Sequence, residues 1–175
     1  MQGKPKTAIE VFAVRFAQEK DVSVLFAMIK ELAEYENLQD ILEATEQLIR
    51  EALFEKRVAQ ALIAESKGEA MGYAVFFHNF STFVGRPGIY IEDIYVKPQM
   101  RGRGIGRSLF EFIAKLAVER NCERLEWACL DWNEPSIAFY KKMNAAAMDE
   151  WILYRLSGKA LEKVSRGSGG LGSLK

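Results

Sequence analysis

The chain has 175 residues in which 24 Lys and Arg balance 24 Asp and Glu, so nothing in its charge supports a general partner such as nucleic acid or an anionic membrane. Its 49% apolar and 27% charged residues are ordinary globular composition, and about two thirds of the surface of a chain this long can be buried without covalent staples. Cys122 and Cys129 make no disulfide framework, and with one histidine, His78, no Cys/His cluster has metal-ligand spacing, so no metal is expected.

The basic N-terminal stretch Met1 to Lys6 lacks the apolar core of a signal peptide, and no apolar run reaches the ~20 residues of a membrane span. A cytoplasmic protein is the default expectation. Residues 11–17 alternate and are β-rich, which predicts a strand. Asp21 is placed as an N-cap before a helical stripe of Val22, Leu25, Phe26, Ile29, Leu32 and Ala33. Thr45 is the expected cap of a second helix carrying Leu48, Ile49, Ala52 and Leu53. Strands follow at about 58–65 and 70–80 around the turn Ser66-Lys67-Gly68-Glu69.

Residues 89–96 form a further strand with Glu92 and Asp93 set in its middle. Alternation puts Tyr90, Glu92, Ile94 and Val96 on one face and Ile91, Asp93 and Tyr95 on the other. One carboxylate therefore points to the packed side or into a cleft, unless a bulge re-aims both or the strand is an edge with solvated acids. A carboxylate so placed tends to a raised pKa and can act as a base.

Arg101-Gly102-Arg103-Gly104-Ile105-Gly106 comes next, ahead of a helix with Ile105, Leu109, Phe112, Ile113, Leu116 and Ala117 on one face. Glycines admit close backbone approach and a helix start offers unpaired N–H donors, so a phosphate or pyrophosphate is the natural occupant. A plain strand-to-helix turn is the alternative. No Gly-Lys-Ser/Thr follows, and Leu109 stands where a dinucleotide fingerprint needs its third glycine. A strand at about 124–130, a short helix from Asn133-Glu134-Pro135 to about 142 and a last strand near 150–156 complete the core. Tyr140 lies on that short helix, either as a half-buried core tyrosine or as an acid. One α/β or α+β domain over 10–163 and a flexible Gly/Ser-rich tail over 164–175 are expected.

In this order the features resemble the GNAT acetyltransferase superfamily. Arg101 to Gly106 is similar to its Arg/Gln-x-x-Gly-x-Gly/Ala pyrophosphate loop, and Asn133 to Tyr140 to its Asn…Phe-Tyr element. Glu31-Leu32-Ala33-Glu34-Tyr35-Glu36, Ile91-Glu92-Asp93, Ile94-Tyr95-Val96 and Trp132-Asn133-Glu134-Pro135-Ser136 resemble the diamine (spermidine/spermine) and thialysine N-acetyltransferase branch. Two departures stand out. Asn144 replaces the usual glycine after the Phe-Tyr helix, and Ser81 and Thr82 stand where polyamine members carry an acid.

The resemblance implies a mixed, mostly antiparallel, splayed sheet flanked by helices, with acetyl-CoA in the gap. It implies that Ile94, Tyr95 and Val96 meet the coenzyme through their backbone, and that Arg101, Gly102, Arg103, Gly104, Ile105, Gly106 and Arg107 take its pyrophosphate. Asn133, Pro135, Ser136 and Met143 would hold the far side of its arm. Glu92 is implied as base, Tyr140 as acid, and Tyr35, Glu36, Glu92, Asp93, Glu126, Trp127 and Ala128 as the amine groove. A small cationic primary amine and a homodimer are implied as partners. An ATP or NAD binder, a silent acyl-CoA sensor and a protein or aminoglycoside acetyltransferase are the alternatives.

Overall fold

The computed structural model describes residues 12–167, which fall into two compact units meeting in sequence at Ala128 and Cys129. In the first, β1 (Ala13–Phe16), α1 (Val22–Glu36), α2 (Glu46–Arg50), β2 (Gln60–Ser66), β3 (Glu69–Ser81), β4 (Arg86–Val96), α3 (Ile105–Glu119) and β5 (Leu125–Trp127) follow in chain order. The strands make one sheet in the order β1-β2-β3-β4-β5, antiparallel except for the parallel β4–β5 pair. This is the mixed, mostly antiparallel sheet expected.

Local sequence explains the joints. Lys67 and Gly68 both take left-handed backbone, φ 51° and 81°, the two-residue turn whose twist suits a hairpin. Thr45 Oγ1 accepts the N–H of Leu48 at 3.2 Å, as its placement before α2 predicts, and α2 runs on into a π-helical turn over Glu51–Glu55. Asp21 does not cap α1. Its backbone is already helical, and its carboxylate accepts instead from the N–H of Gln18 at 2.7 Å and from Arg15 at 2.6 Å. A missing cap costs about 1 kcal/mol, less than either fully buried Leu25 or Met28 contributes at about 1.5–3 kcal/mol. Packing, not capping, holds α1.

Leu25 and Met28 pack on Ala61, Ile63, Tyr73 and Tyr95 at one sheet face. Alternation turns Leu62 and Ala74 to the other face, which is left for the buried stripe Ile105, Leu109, Phe110, Ile113 and Ala117 of α3. β5 is shorter than the strand predicted at 124–130. It pairs only with Ile89 to Ile91, so β4 beyond Ile91 has no strand on that side among the described residues.

The second unit contains α4 (Glu134–Lys142) and α5 (Gly158–Arg166). Asn133 Oδ1 accepts the N–H of Ser136 at 3.3 Å and Pro135 sits in the first turn, which starts α4 where the sequence predicts. Asn144 takes the left-handed conformation, φ 59°, at the position where the resemblance leads one to expect glycine. The strand predicted near 150–156 is absent. Residues 151–157 carry no regular structure, and Trp151, Ile152, Leu153 and Tyr154 are 72%, 73%, 74% and 85% exposed. An extended segment becomes a strand only when another strand takes its N–H and C=O groups, and no ladder among the described residues includes this one. The helix α5 was not foreseen and covers the start of the expected tail, of which 168–175 lies outside the described residues.

Candidate active site

The acidic pair in β4 is re-aimed by a bulge. Val75 pairs with Asp93 but the next residue, Phe76, pairs with Ile91, leaving Glu92 as the extra residue. Simple alternation, which put Ile91 and Asp93 on one face, therefore fails at this point. Ile91 turns with Ile94 toward the α3 face, Asp93 turns with Tyr73 and Tyr95 toward α1, and Glu92 is exposed. The Tyr73 hydroxyl donates to Asp93 Oδ2 at 3.2 Å. Burial pushes the Asp93 carboxyl up to about 6; the Tyr73 bond opposes the rise, and the charges of Glu92 and Glu36 add to it. Burial also raises Glu36, the last residue of α1. Glu36, Glu92 and Asp93 thus form one acidic cluster. Tyr73, fully buried, belongs to it and was not singled out in the sequence; only knowledge of its cross-strand neighbour reveals it.

The other predicted amine-groove residues divide. Tyr35 lies under the Arg101 guanidinium, 4.6 Å from ring centroid to Cζ. Glu126 Oε2 accepts from Asn79 Nδ2 at 2.5 Å and pairs with Arg124 Nε at 2.9 Å, so its charge is answered locally. Trp127 stands edge-on to Phe110 of α3, centroids 5.0 Å apart, which puts it in the α3 layer and not beside Asp93. Ala128 is exposed at the end of the unit.

Past Ile91 the open edge of β4 presents selected backbone groups. Lys97 N–H donates to Met71 O on β3 at 3.0 Å. Strand alternation then sends the backbone N–H of Tyr95 toward β3 and those of Ile94 and Val96 to the open edge. Val96 O there accepts from Arg101 Nε at 3.0 Å. The Tyr95 side chain faces inward, donating its hydroxyl to Glu31 at 3.0 Å; burial, then this bond, push it up to about 12.

The loop that follows is built to expose backbone. Gly102 and Gly104 have φ 76° and 87°, and an added Cβ at either meets nothing within 4 Å. Gly104 is the N-cap of α3 and brings no side chain to the helix start. Ile105 is buried beneath, Gly106 approaches Val96, and Arg107 pairs with Glu111 at 3.1 Å along the helix. Arg103 Nη2 donates to Gln99 O at 3.4 Å. A helix start with open left-handed glycines and flanking arginines fits a pyrophosphate, and a strand edge to which Ile94 and Val96 point their N–H groups fits an amide-bearing arm.

In the second unit Asn133 is buried and caps α4. Tyr140 is half-buried, its ring 5.4 Å from that of Phe139, and half-buried Met143 ends the helix.

Residues 26–145 match the acetyltransferase (GNAT) family. The chain belongs to that family. As a GNAT acetyltransferase it is an enzyme that moves acetyl from acetyl-CoA to an amine, which replaces the nucleotide-binding alternative. It is 37% identical over 164 residues to thialysine N-epsilon-acetyltransferase of Sus scrofa, covering 87% of this chain and 96% of that one. It is 27% identical over 170 residues to spermidine/spermine N(1)-acetyltransferase-like protein 1 of Homo sapiens, covering 91% of this chain and 24% of that protein. In fold it is similar to an integron cassette protein from the mobile metagenome of V. cholerae, with TM-score 0.75, 24% identity and coverage of 89% and 98%. The GNAT span takes in the acidic cluster, the glycine loop and α4 alike.

Proposed function

We propose that this GNAT enzyme acetylates a small aliphatic amine carrying a second positive charge, of the thialysine or short-diamine kind. The acidic cluster of Glu36, Glu92 and Asp93 carries this reading, because converging carboxylates attract a dication and repel acids. The likeness to thialysine N-epsilon-acetyltransferase supports it. Glu126 is occupied by Asn79 and Arg124 and contributes less, and Ser81 lends its hydroxyl to the hairpin turn at Val84 N–H, which leaves few contacts for a long polyamine.

Acetyl-CoA supplies an acetyl group activated as a thioester. An aliphatic ammonium with pKa about 10 leaves only about one molecule in a thousand nucleophilic at neutral pH. Glu92, exposed at the bulge, takes that proton directly or through water. The Ile94 N–H, on the open edge, donates to the thioester oxygen, while the Ile94 carbonyl and the Val96 N–H pair with the pantetheine amides. Arg101 to Arg107 hold the pyrophosphate, and Asn133, Pro135, Ser136 and Met143 support the far side of the arm. The freed amine attacks the thioester carbon, and the C–S bond breaks as Tyr140 gives its proton to the departing sulfur. The second proton, shed by the new amide nitrogen, restores the phenol, and phenol and thiol pKa values of about 10 and 8.5 permit the transfer. A cytoplasmic homodimer is part of the same proposal, with sedimentation testing the assembly.

The test is a kcat/KM series over propylamine, putrescine, spermidine, thialysine and benzylamine at low and high salt. Thialysine and putrescine should lead, and salt should erode their advantage. A win for propylamine or benzylamine with no salt effect overturns the acidic-groove reading.

A further inference from the structure

Arg101 joins two parts of the first unit that separate functions were given to. It is the first residue of the glycine loop, yet its guanidinium lies 4.6 Å from the ring centroid of Tyr35 and 5.9 Å from that of Tyr95, while its Nε donates to Val96 O. Tyr95 in turn donates to Glu31, one helical turn before Tyr35 on α1. The last turn of α1, the end of β4 and the start of the loop therefore share one clamp.

Within the loop, Arg103 Nη2 donates to Gln99 O at 3.4 Å and the backbone N–H of Arg101 to Pro98 O at 3.2 Å. Gly102 and Gly104 have open space where a side chain would be, and both stand in left-handed conformations that glycine leaves as readily as it enters. Ordering such residues costs about 1–2 kcal/mol each, a cost paid on ligand binding if the free loop is not already held. On the carboxyl side α3 anchors the loop through buried Ile105. On the amino side the turn over Pro98–Met100 leads into Arg101, whose side chain is the tie to α1 and β4, and the face of that guanidinium is covered by Tyr35.

We propose that Tyr35 is a positioning residue for the coenzyme: by stacking on Arg101 it holds the glycine loop ready for the pyrophosphate, so that the amine-side helix α1 sets part of the affinity for acetyl-CoA. This rests on the reading of Arg101 to Gly106 as the phosphate site. It differs from a role confined to the amine groove, in which changes at Tyr35 alter the amine KM alone.

The experiment is a double-mutant cycle read by calorimetry of acetyl-CoA binding in the absence of amine. Tyr35→Leu should weaken binding about threefold, the order of one exposed cation–π contact, while Tyr35→Phe, which keeps the ring, should bind as the parent does. In an Arg101→Met background Tyr35→Leu should have no further effect. Circular dichroism checks the fold, and Tyr35→Gln replaces the leucine variant if that one is unfolded. Unchanged affinity in the ring-deleted variant, or fully independent effects in the cycle, overturns the proposal. Gly104→Asp separates the two levels. If it too leaves affinity unchanged, the loop is not the phosphate site and the functional reading falls; if it weakens binding while the cycle shows no coupling, only the role of Tyr35 falls.

Discussion

Tyr73 and Asp93 meet on the diagonal of the β3–β4 ladder, where Tyr73 pairs with Tyr95 and Asp93 with Val75, and the hydroxyl donates to the carboxylate at 3.2 Å just past the bulge at Glu92. Two influences compete there: burial lifts the acid to about 6 while the phenol bond holds it down. The sign for stability follows from linkage. An acid whose folded pKa lies above its unfolded value near 4 leaves the fold at full stability below about pH 4, and stability is lost as pH rises through about 6. Two pH units convert to about 2.7 kcal/mol at most, and partial exposure reduces this to ~1 kcal/mol. Asp93→Asn should therefore raise Tm by about 2–4 °C at pH 8 and change it little at pH 4, while lowering kcat/KM for a dicationic amine about tenfold or more. An equal Tm shift at both pH values refutes the ionisation argument.

Gly104 combines φ 87° with an open cradle at the start of α3. Gly104→Asp adds strain and a negative charge where a pyrophosphate is expected. Gly104→Asn adds a side chain of the same shape that tolerates left-handed backbone and carries no charge. Acetyl-CoA affinity by calorimetry should fall about tenfold or more in the aspartate variant and much less in the asparagine one. Matching affinities in the two would mean that charge plays no part.

Arg15 ties β1 to the rest of the unit. It reaches Asp21 at 2.6 Å and Glu65 of β2 at 2.8 Å, and it holds both carboxylates below their usual range. Asp21 is also nearly buried. A carboxylate whose folded pKa is depressed contributes stability above its unfolded pKa, lost as pH falls through the folded value. Asp21→Asn should cost about 2 kcal/mol at pH 7, visible in urea melts, with the gap to the parent closing in acid. A gap that persists at pH 2 assigns the loss to packing instead.

What the sequence disclosed, and what it hid, divides by range. Turns and caps are local, so Lys67-Gly68, Thr45 and Asn133 could be read from their neighbours alone, whereas the turn at Asn144 was expected from the family resemblance. Asp21 looked like a cap because the same residue type serves as an ion-pair partner, and its partner Arg15 lies on a different element. The acidic pair stood out as charge inside an apolar strand, but the bulge that separates Glu92 from Asp93 is a property of the β3–β4 register. Tyr73 acquires a role only from that pairing. The segment predicted as a strand near 150–156 has strand composition but pairs with no strand among the described residues, and composition cannot supply a partner.

Tyr140 carries the sharpest chemical prediction. It lies two residues before the end of α4, a helix started by the Asn133 side chain and by Pro135, and its ring packs on Phe139. Tyr140→Phe keeps the ring, the helix and that packing, and removes one dissociable proton. If the hydroxyl serves the departing sulfur, its loss is felt only in the transition state. KM for acetyl-CoA should then hold while kcat falls about a hundredfold, and the alkaline limb of the kcat profile, set by loss of the phenol proton, should disappear. A purely structural tyrosine predicts the reverse: kcat within about twofold of the parent, the alkaline limb retained, and a small change in Tm. Steady-state kinetics from pH 6 to 10, with a reagent that detects the freed thiol in a quenched assay, separates the two.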